Sequence, residues 1–466
     1  MEEENFKTDE DIYEYLKKKN TELKIINYRI KNINKFCRNI KNNKYLKKIT
    51  INLNKINFDD FIEILKNNKL EELELTYTNI KDLNKLCYYL KKNTSLKKLN
   101  LENNKIENID NLCEILKYNH TLKSLNLGMN KIKNIDKLYE LIKYNKFIEY
   151  LNFSSYQIKD INKFYNALNY NTSIKYLTLC NNNISDISGI CNYLKKNILI
   201  DLNLSCNYIS NFDDLFEILK TNTSLKYLNL GNNNISNINI LCDALKINKS
   251  LIHLELYENK FKDLSKFFDV LKINDTLKIL NLYGNYNCNM ENIFDALKFN
   301  NSITDLNISS CNIIDVVKLN QALKVNKSLI NLCLYGNNIG DNINFISQGI
   351  KINSTLQSLN LSLNEIHNIK YFCENLKYNK SLIDLDLSSN DIEDLNILNE
   401  TLKYNSTLKN IDLSDIGIKN IKDVYDIYNH IKNKKFKFTV DLKFNDFDPY
   451  LLNFNYFNSN NINITF

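Results

Sequence analysis

The sequence predicts an α/β solenoid, a horseshoe-shaped stack of coils with a concave parallel β-sheet and convex α-helices. Two observations predict this architecture. The 466 residues repeat a unit of about 26 residues some 15–16 times, and such self-similarity is typical of stacked repeats. Within each unit the spacing of apolar residues changes from two, the strand period, to three or four, the helix period. Because strands lie ~4.8 Å apart and packed helices ~8–10 Å apart, the stack is expected to bend toward the strands.

The unit that begins at Leu96 shows how each element is predicted. Leu99 and Leu101 lie two residues apart, which marks a short strand with one buried face. The apolar residues after the strand lie three or four apart and predict a helix of two to three turns. These helical residues are Ile106, Ile109, Leu112 and Leu116. Since every unit repeats this order, all strands are expected to run in the same direction.

The repeat divides the chain into three predicted parts. Residues 1–19 form an N-terminal cap, residues 20–433 form the repeat array, and residues 434–466 form a C-terminal capping repeat and tail. An amphipathic helix is expected in the first part, with Ile12, Tyr13, Tyr15 and Leu16 as its apolar residues. Open ends would expose core leucines and a free sheet edge, so both ends are expected to be covered.

Two ladders of asparagine run through the repeats. The first, from Asn54 to Asn390, follows the second strand leucine by three residues. We expect its amides to bond backbone groups of adjacent coils that would otherwise be buried unpaired. The second, from Asn68 to Asn405, follows the last helical leucine by three residues. We interpret it as a helix C-cap in the left-handed conformation, which Asn tolerates better than most residues.

Cysteine usage and the absence of targeting segments indicate where the protein works. The acidic N-terminus has no apolar signal segment, and no stretch approaches the ~18 apolar residues of a transmembrane helix. Six of the 11 cysteines recur at one repeat position between apolar neighbours, which favours buried thiols over disulfides. These six are Cys37, Cys87, Cys113, Cys191, Cys242 and Cys373. We therefore expect a cytoplasmic monomer without a membrane partner.

A likeness to a known family rests on the string Leu219-Lys-Thr-Asn-Thr-Ser-Leu-Lys-Tyr-Leu-Asn-Leu-Gly-Asn-Asn-Asn-Ile235. It resembles the ribonuclease-inhibitor-like class of leucine-rich repeats, and the likeness extends over about residues 20–445. The resemblance implies a leucine-rich repeat solenoid. Units of that class are two or three residues longer and carry a Gly after the corner, which is mostly missing here. Because the fold hosts inhibitors, receptors and regulators alike, the resemblance implies no single function.

The concave face is where a partner is expected to bind, because the side chains that flank the strand leucines point away from the core. Tyrosines stand there in the middle of the array, and exposed aromatics are typical of binding hot spots. Acidic residues outnumber lysines on this face, so it is predicted to be acidic although the whole chain carries a net charge of +7. The predicted partner-binding residues are Tyr150, Tyr176, Tyr227, His253, Glu255, Tyr257, Tyr283, Tyr335, Asp384, Asp386 and Asp412.

The middle position of the concave face is Asn in most units, as at Asn100, Asn126 and Asn281. A row this regular indicates an architectural role. We expect the stacked amides to bond one another along the sheet, in addition to the bonds of the corner ladder.

The predicted function is a non-catalytic protein–protein interaction scaffold that binds a basic protein or peptide on its concave face. Nucleic acid is not expected in that groove, because its phosphates would meet carboxylates. The four histidines lie in different units and no phosphate-loop or hydrolase motif occurs, so no enzyme activity, metal or cofactor is expected. The alternative is a GTPase regulator resembling Ran GTPase-activating proteins. The two arginines, Arg29 and Arg38, lie in the first units, which disfavours an arginine finger.

Overall fold

The repeated leucine pairs form short parallel strands, and the segments that follow most of them form helices. The computed structural model describes residues 6–52, 61–62, 65, 69–156, 158, 161–448, 452 and 461–466. The chain divides into two units, Met1–Ile218 with Ser224–Asn229, and Leu219–Thr223 with Leu230–Phe466. Each unit alternates strands and helices in the predicted order, which confirms the fold class.

In the first unit each strand pairs in parallel with the next one along the chain. Its described strands are β1 (Glu22–Ile25), β2 (Lys48–Asn52), β3 (Glu72–Thr76), β4 (Lys98–Asn100), β5 (Ser124–Asn126), β6 (Tyr150–Asn152), β7 (Tyr176–Thr178), β8 (Asp201–Asn203) and β9 (Tyr227–Asn229). Its described helices are α1 (Asp9–Lys17), α2 (Ile33–Asn42), α3 (Asn84–Lys92), α4 (Asp110–Leu116), α5 (Asp136–Tyr144), α6 (Ile161–Tyr170), α7 (Ser188–Leu194) and α8 (Asp213–Leu219).

The second unit repeats the pattern with the same parallel pairing. Its described strands are β10 (His253–Glu255), β11 (Ile279–Asn281), β12 (Asp305–Asn307), β13 (Asn331–Cys333), β14 (Ser358–Asn360), β15 (Asp384–Asp386), β16 (Asn410–Asp412), β17 (Phe438–Asp441) and β18 (Ile462–Thr465). Its described helices are α9 (Asn239–Leu245), α10 (Ser265–Leu271), α11 (Ile293–Leu297), α12 (Val317–Val325), α13 (Ser347–Ile352), α14 (Lys370–Leu376), α15 (Leu395–Tyr404) and α16 (Ile421–Ile431), and a 3-10 helix (Gly340–Ile346) precedes α13.

The two ends of the chain carry the elements expected of caps. Helix α1 buries Ile12, Tyr13 and Leu16, and Thr8 starts it with a capping box to Asp11. At the other end β18 pairs with β17 in parallel. Residues 1–5, 449–451 and 453–460, which include Pro449, lie outside the described residues. The capping roles therefore stay predictions. Among the described residues, no helix combines the length and apolarity needed to cross a membrane.

The corner asparagines make the contacts that the sequence predicts. The Asn104 amide donates to the Leu75 carbonyl of the preceding coil at 2.7 Å, and its Oδ1 accepts the backbone N–H groups of Thr78 and Ile80 at 3.0 and 3.1 Å. Each such side chain thus satisfies buried backbone groups that the short strands leave unpaired. Asn54 and Asn68, the first members of the two ladders, lie outside the described residues.

The second asparagine ladder corrects one prediction in part, since Asn197 has the predicted left-handed conformation with φ 53° and Asn145 does not. Asn145 ends helix α5 with φ −71° and ψ 132°, an extended conformation, and not the left-handed one expected of a C-cap. Its Oδ1 accepts the N–H groups of Phe147 and Ile148 at 2.8 Å, and its amide donates to the Leu116 carbonyl of the preceding coil at 2.7 Å. The side chain therefore bonds the start of the next strand to the end of the neighbouring helix.

All eleven cysteines are free thiols, and the six that recur at one repeat position are buried. Burial raises the pKa of Cys242 to about 11 and that of Cys87 to about 12. We expect iodoacetamide at about pH 8 to alkylate the half-buried Cys333 well before these two, because only thiolates react and a raised pKa removes them. Peptide mapping by mass spectrometry measures the order. Equal labelling of Cys242 and Cys333 in the folded protein would contradict this view of the core.

Candidate functional site

In most described coils the middle residue of the concave face is an Asn or Asp that closes a small turn at the end of the strand. Oδ1 of Asn126 accepts the backbone N–H of Gly128 at 3.0 Å, and Asn281 does the same for Tyr283. The row is architectural as predicted, but its recurring bond lies within one coil and not along the sheet. Because Oδ1 carries this role, Asp can replace Asn without loss of the turn. The second polar atom of the side chain then changes from the Nδ2 donor of Asn to the charged Oδ2 acceptor of Asp.

In the first unit, three predicted tyrosines lie in one row across adjacent strands. Tyr150 stands opposite Tyr176, Tyr176 opposite Asp201, and Asp201 opposite Tyr227. All three rings are half-buried, and burial raises the pKa of Tyr150. The Asn229 amide donates to Tyr227 Oη at 3.2 Å. The row therefore presents partly exposed aromatic rings together with polar hydroxyl groups.

The carboxylates of the first strands are neutralised by lysines on the same face. Lys48 lies 3.1 Å from Glu72 and 3.4 Å from Glu74, and Lys98 lies 2.7 Å from Glu72. These contacts lower the pKa of Glu72 although its burial acts in the opposite direction. The predicted acidity of the concave face is thus cancelled at β2–β4 and must come from other strands.

In the second unit, a hydrogen bond joins His253 to Glu255, and Tyr257 follows Glu255 by two residues. The His253 Nε2 lies 2.5 Å from one Glu255 oxygen, and the Asn281 amide donates to the other at 2.6 Å. The Tyr257 ring packs on Gly231, where an added Cβ would lie 2.2 Å from the ring. His253, Glu255 and Tyr257 are all half-buried.

The other two predicted tyrosines of this unit stand apart from each other. Tyr283 follows β11 and is half-buried, whereas Tyr335 follows β13 and is exposed. Ser309 occupies the equivalent place on the strand between them, as the register of β11, β12 and β13 shows. The structure therefore does not bring these two rings together as one aromatic patch.

The predicted aspartates converge at the end of the second unit. Asp384 and Asp386 flank Leu385 on β15, and Asp386 stands opposite Asp412, which stands opposite Asp441. Strands lie ~4.8 Å apart, so three carboxylates follow one another closely. Sequence reasoning missed Asp441 because its repeat is degenerate. The pair Val440 and Leu442 marks the strand and could have located it.

The three aligned carboxylates have unequal partners. Asp386 accepts from the Asn360 amide at 2.7 Å, and Asp441 accepts from the Lys443 ammonium at 2.8 Å. Asp412 uses Oδ1 for Ser414, and within the described part of the chain no hydrogen bond reaches its Oδ2. The pKa of Asp441 is lowered by its bonds to Lys443 although burial opposes the shift. The central carboxylate is thus the one most open to a cationic partner.

These aspartates line a depression of about 440 Å³ on the face of β14–β17, which we call the aspartate depression. Its lining residues include Asp384, Asp386, Asp412 and Asp441. Among the described residues, no group of three or more His, Cys, Asp or Glu side chains is arranged to hold a metal ion. The depression is broad enough for extended side chains to lie across several strands.

Five segments of the chain match the sequence profile of the family described as Leucine Rich repeat, namely residues 92–109, 118–135, 221–238, 353–369 and 378–395. Each segment begins near a helix end and covers the next strand and its corner. In the structure these elements repeat with parallel pairing in both units. The chain is a leucine-rich repeat protein. Membership of the ribonuclease-inhibitor-like class within that family stays a prediction.

Three solved structures are similar to this leucine-rich repeat protein. An internalin from Listeria monocytogenes is 22% identical, over 81% of this chain and 89% of its own, with a TM-score of 0.40. A leucine-rich repeat protein from Leptospira interrogans is 19% identical, over 91% and 95% of the two chains, with a TM-score of 0.48. The TLR13 chain in its complex with ssRNA13 is 20% identical, over 87% of this chain and 57% of its own, with a TM-score of 0.48. No curated protein matches the sequence.

Proposed function

We propose that this protein is a non-catalytic scaffold that binds a basic protein or peptide on the concave face of its second unit. Leucine-rich repeat proteins use such stacked strands as extended binding surfaces. The observation that carries the proposal is the row Asp386, Asp412 and Asp441, in which the central carboxylate keeps one oxygen without a hydrogen bond among the described residues. Lysine or arginine side chains of a partner would complete these contacts.

The remaining predicted residues take supporting roles in this proposal. Tyr335 is exposed and, among the predicted tyrosines, lies nearest to the aspartates along the sheet, where it would supply apolar contact. Tyr150, Tyr176 and Tyr227 in the first unit form a second surface for the same or another partner. The free thiols support a reducing, cytoplasmic setting. The carboxylates support a protein partner over nucleic acid on this face.

The decisive variant is Asp386→Asn with Asp412→Asn. Asn preserves the Oδ1 bond that closes the turn, as Asn360 shows in the neighbouring strand, but it removes two charges. We expect a labelled oligolysine peptide to bind the variant about 10-fold or more weakly. The melting temperature should fall only slightly, because the Asn360 amide loses its acceptor on Asp386. The matched control is Asp391→Asn with Glu393→Gln, which removes two exposed charges from the turn after β15.

The outcome separates site binding from general charge attraction. If both double variants lose the same affinity, the peptide responds to net charge and the proposed site is wrong. An oligoglutamate peptide that binds as well as oligolysine would also refute it. In affinity capture with the full chain, replacement of Tyr150, Tyr176 and Tyr227 by Ala tests whether the first unit contributes to retention of the same partner.

A further inference from the structure

A row of exposed apolar residues runs along one edge of the second unit, where helices end and strands begin. The residue directly before each asparagine of the second ladder is large and apolar in seven successive coils. Each has 53–65% of its surface exposed. The residues are Ile247, Ile273, Phe299, Val325, Ile352, Tyr378 and Tyr404. We call this row the helix-end stripe.

The asparagine ladder fixes the stripe in place. Asn353 is buried, and its amide donates to the Leu323 carbonyl of the preceding coil at 2.9 Å. Asn379 makes the same bond to Ile350 at 2.7 Å. Because each buried asparagine clamps two coils together, the residue before it is turned outward at the same edge. Apolar side chains that lie 26 or 27 residues apart in sequence therefore become neighbours.

The architecture does not require an apolar residue at this position. In the first unit the equivalent residues before Asn93 and Asn197 are Lys92 and Lys196, and these coils form the same strand and helix. Exposed apolar residues that occur singly are ordinary on protein surfaces. The stripe differs from such single residues because it is continuous, although lysine is compatible with the fold at the same position. Contiguous exposed apolar surface marks interaction sites.

Lysines accompany the stripe, above all in the coils of β13–β15. Lys324, Lys351 and Lys377 directly precede Val325, Ile352 and Tyr378. Lys327 and Lys380 follow on the same edge and are exposed. The Lys351 ammonium lies 4.9 Å from the centre of the Tyr378 ring, so the charges and the apolar groups are interleaved. In the coils of β13–β15, the acidic residue near the helix end is Glu374, and it is half-buried.

We propose that the helix-end stripe of the second unit docks on an anionic membrane surface. A lipid interface accepts single apolar side chains without shaped pockets, while flanking lysines extend to the headgroups. Anionic headgroups match the lysines and would repel the aspartate depression on the concave face of the same unit. Contact through this edge thus leaves the concave face open. The proposal does not depend on the proposed function.

This proposal departs from the expectation of no membrane partner. That expectation rested on the lack of an apolar signal segment and of a membrane-spanning segment in the sequence. Peripheral attachment needs neither, because folding gathers lysines from separate repeats onto one edge. The alternative occupant of the stripe, an acidic apolar segment of another protein, is an outcome of the test below.

The test is flotation of the full-length protein with phosphatidylcholine vesicles that contain phosphatidylserine, beside vesicles of phosphatidylcholine alone. We expect binding to the first and none to the second. Lys351→Gln with Lys377→Gln should weaken binding about 10- to 30-fold, on the order of the attraction of two lysines to such a surface. Lys260→Gln with Lys262→Gln is the matched control, since it removes the same charge from exposed positions on the opposite edge.

A second variant tests the apolar contribution. Ile352→Ser with Tyr378→Ser leaves the net charge unchanged and should weaken binding at least about 10-fold. The proposal is overturned if the wild type ignores phosphatidylserine, if both lysine pairs have equal effects, or if the serine variant binds normally. If the edge variants release an acidic protein partner but leave vesicle binding intact, the stripe is a protein interface instead. Oligolysine binding to the aspartate depression should be the same in all of these variants.

Discussion

Replacement of Asn337 by Ala is expected to cost about 3–5 kcal/mol in the free energy of unfolding. Its Oδ1 accepts the backbone N–H groups of Cys311 and Ile313, each at 3.0 Å, and its amide donates to the carbonyls of Ile308 and Leu334 at 3.1 and 2.9 Å. The side chain is 2% exposed, so water cannot take over these bonds. Each buried group left without a partner costs about 1–3 kcal/mol.

Denaturant unfolding of the variant beside Asn338→Ala measures this effect. Asn338 is the next residue and is exposed, so the same substitution should change the unfolding free energy by less than about 0.5 kcal/mol. A loss of 3–5 kcal/mol is a large fraction of the usual 5–15 kcal/mol of a protein domain. Equal unfolding midpoints for the two variants would show that the corner ladder does not stabilise the stack.

Replacement of Gly189 by Ala is expected to destabilise the first unit by about 1–3 kcal/mol, the usual cost of overpacking. An added Cβ would lie 2.1 Å from Cγ of Tyr165 on the neighbouring helix α6. The Tyr165 ring cannot move aside easily, because it is buried and its hydroxyl donates to the carbonyl of Asp186. The loss should appear although Ala ordinarily favours a helix by about 1 kcal/mol over Gly.

A double-variant cycle identifies the clash as the cause. Tyr165→Ala alone should cost about 3–5 kcal/mol through the cavity it leaves. In its background Gly189→Ala should cost nothing or stabilise, since the space is empty. If the two losses simply add, Gly189 is needed for another reason than the close approach of α6 and α7.

Sequence periodicity sufficed for the fold because every coil repeats the same physical demands. The spacing of Leu99 and Leu101 specifies a strand. The corner asparagine is predictable because short strands leave buried backbone N–H and C=O groups that need hydrogen-bond partners. The backbone conformation of the helix-end ladder was mispredicted at Asn145, whose side chain bonds the start of the next strand, whereas Asn197 is left-handed as predicted. Many other left-handed residues directly precede the corner, at Asn103 and Met129 among others, where no residue type marks them.

The candidate site was predictable only in part. The concave positions of Asp386 and Asp412 follow from the strand period, but the charge of that face depends on which lysines reach across coils. Lys48 neutralises Glu72 and Glu74 through side-chain geometry that spans neighbouring units. The periodicity of the sequence does not predict the side-chain conformations that bring these charges together. The location of the net negative charge therefore emerges only from the three-dimensional structure.

The turn at the end of each concave strand has an evolutionary consequence. Asn and Asp close it equally well through Oδ1, as Asn360 and Asp386 do on adjacent strands. The codons of these two amino acids differ by a single base. A point mutation can therefore exchange the amide of one coil for a carboxylate, or the reverse, without loss of this turn. Selection could rewrite the charge of this face one coil at a time, so that partners diverge between lineages while the scaffold stays constant.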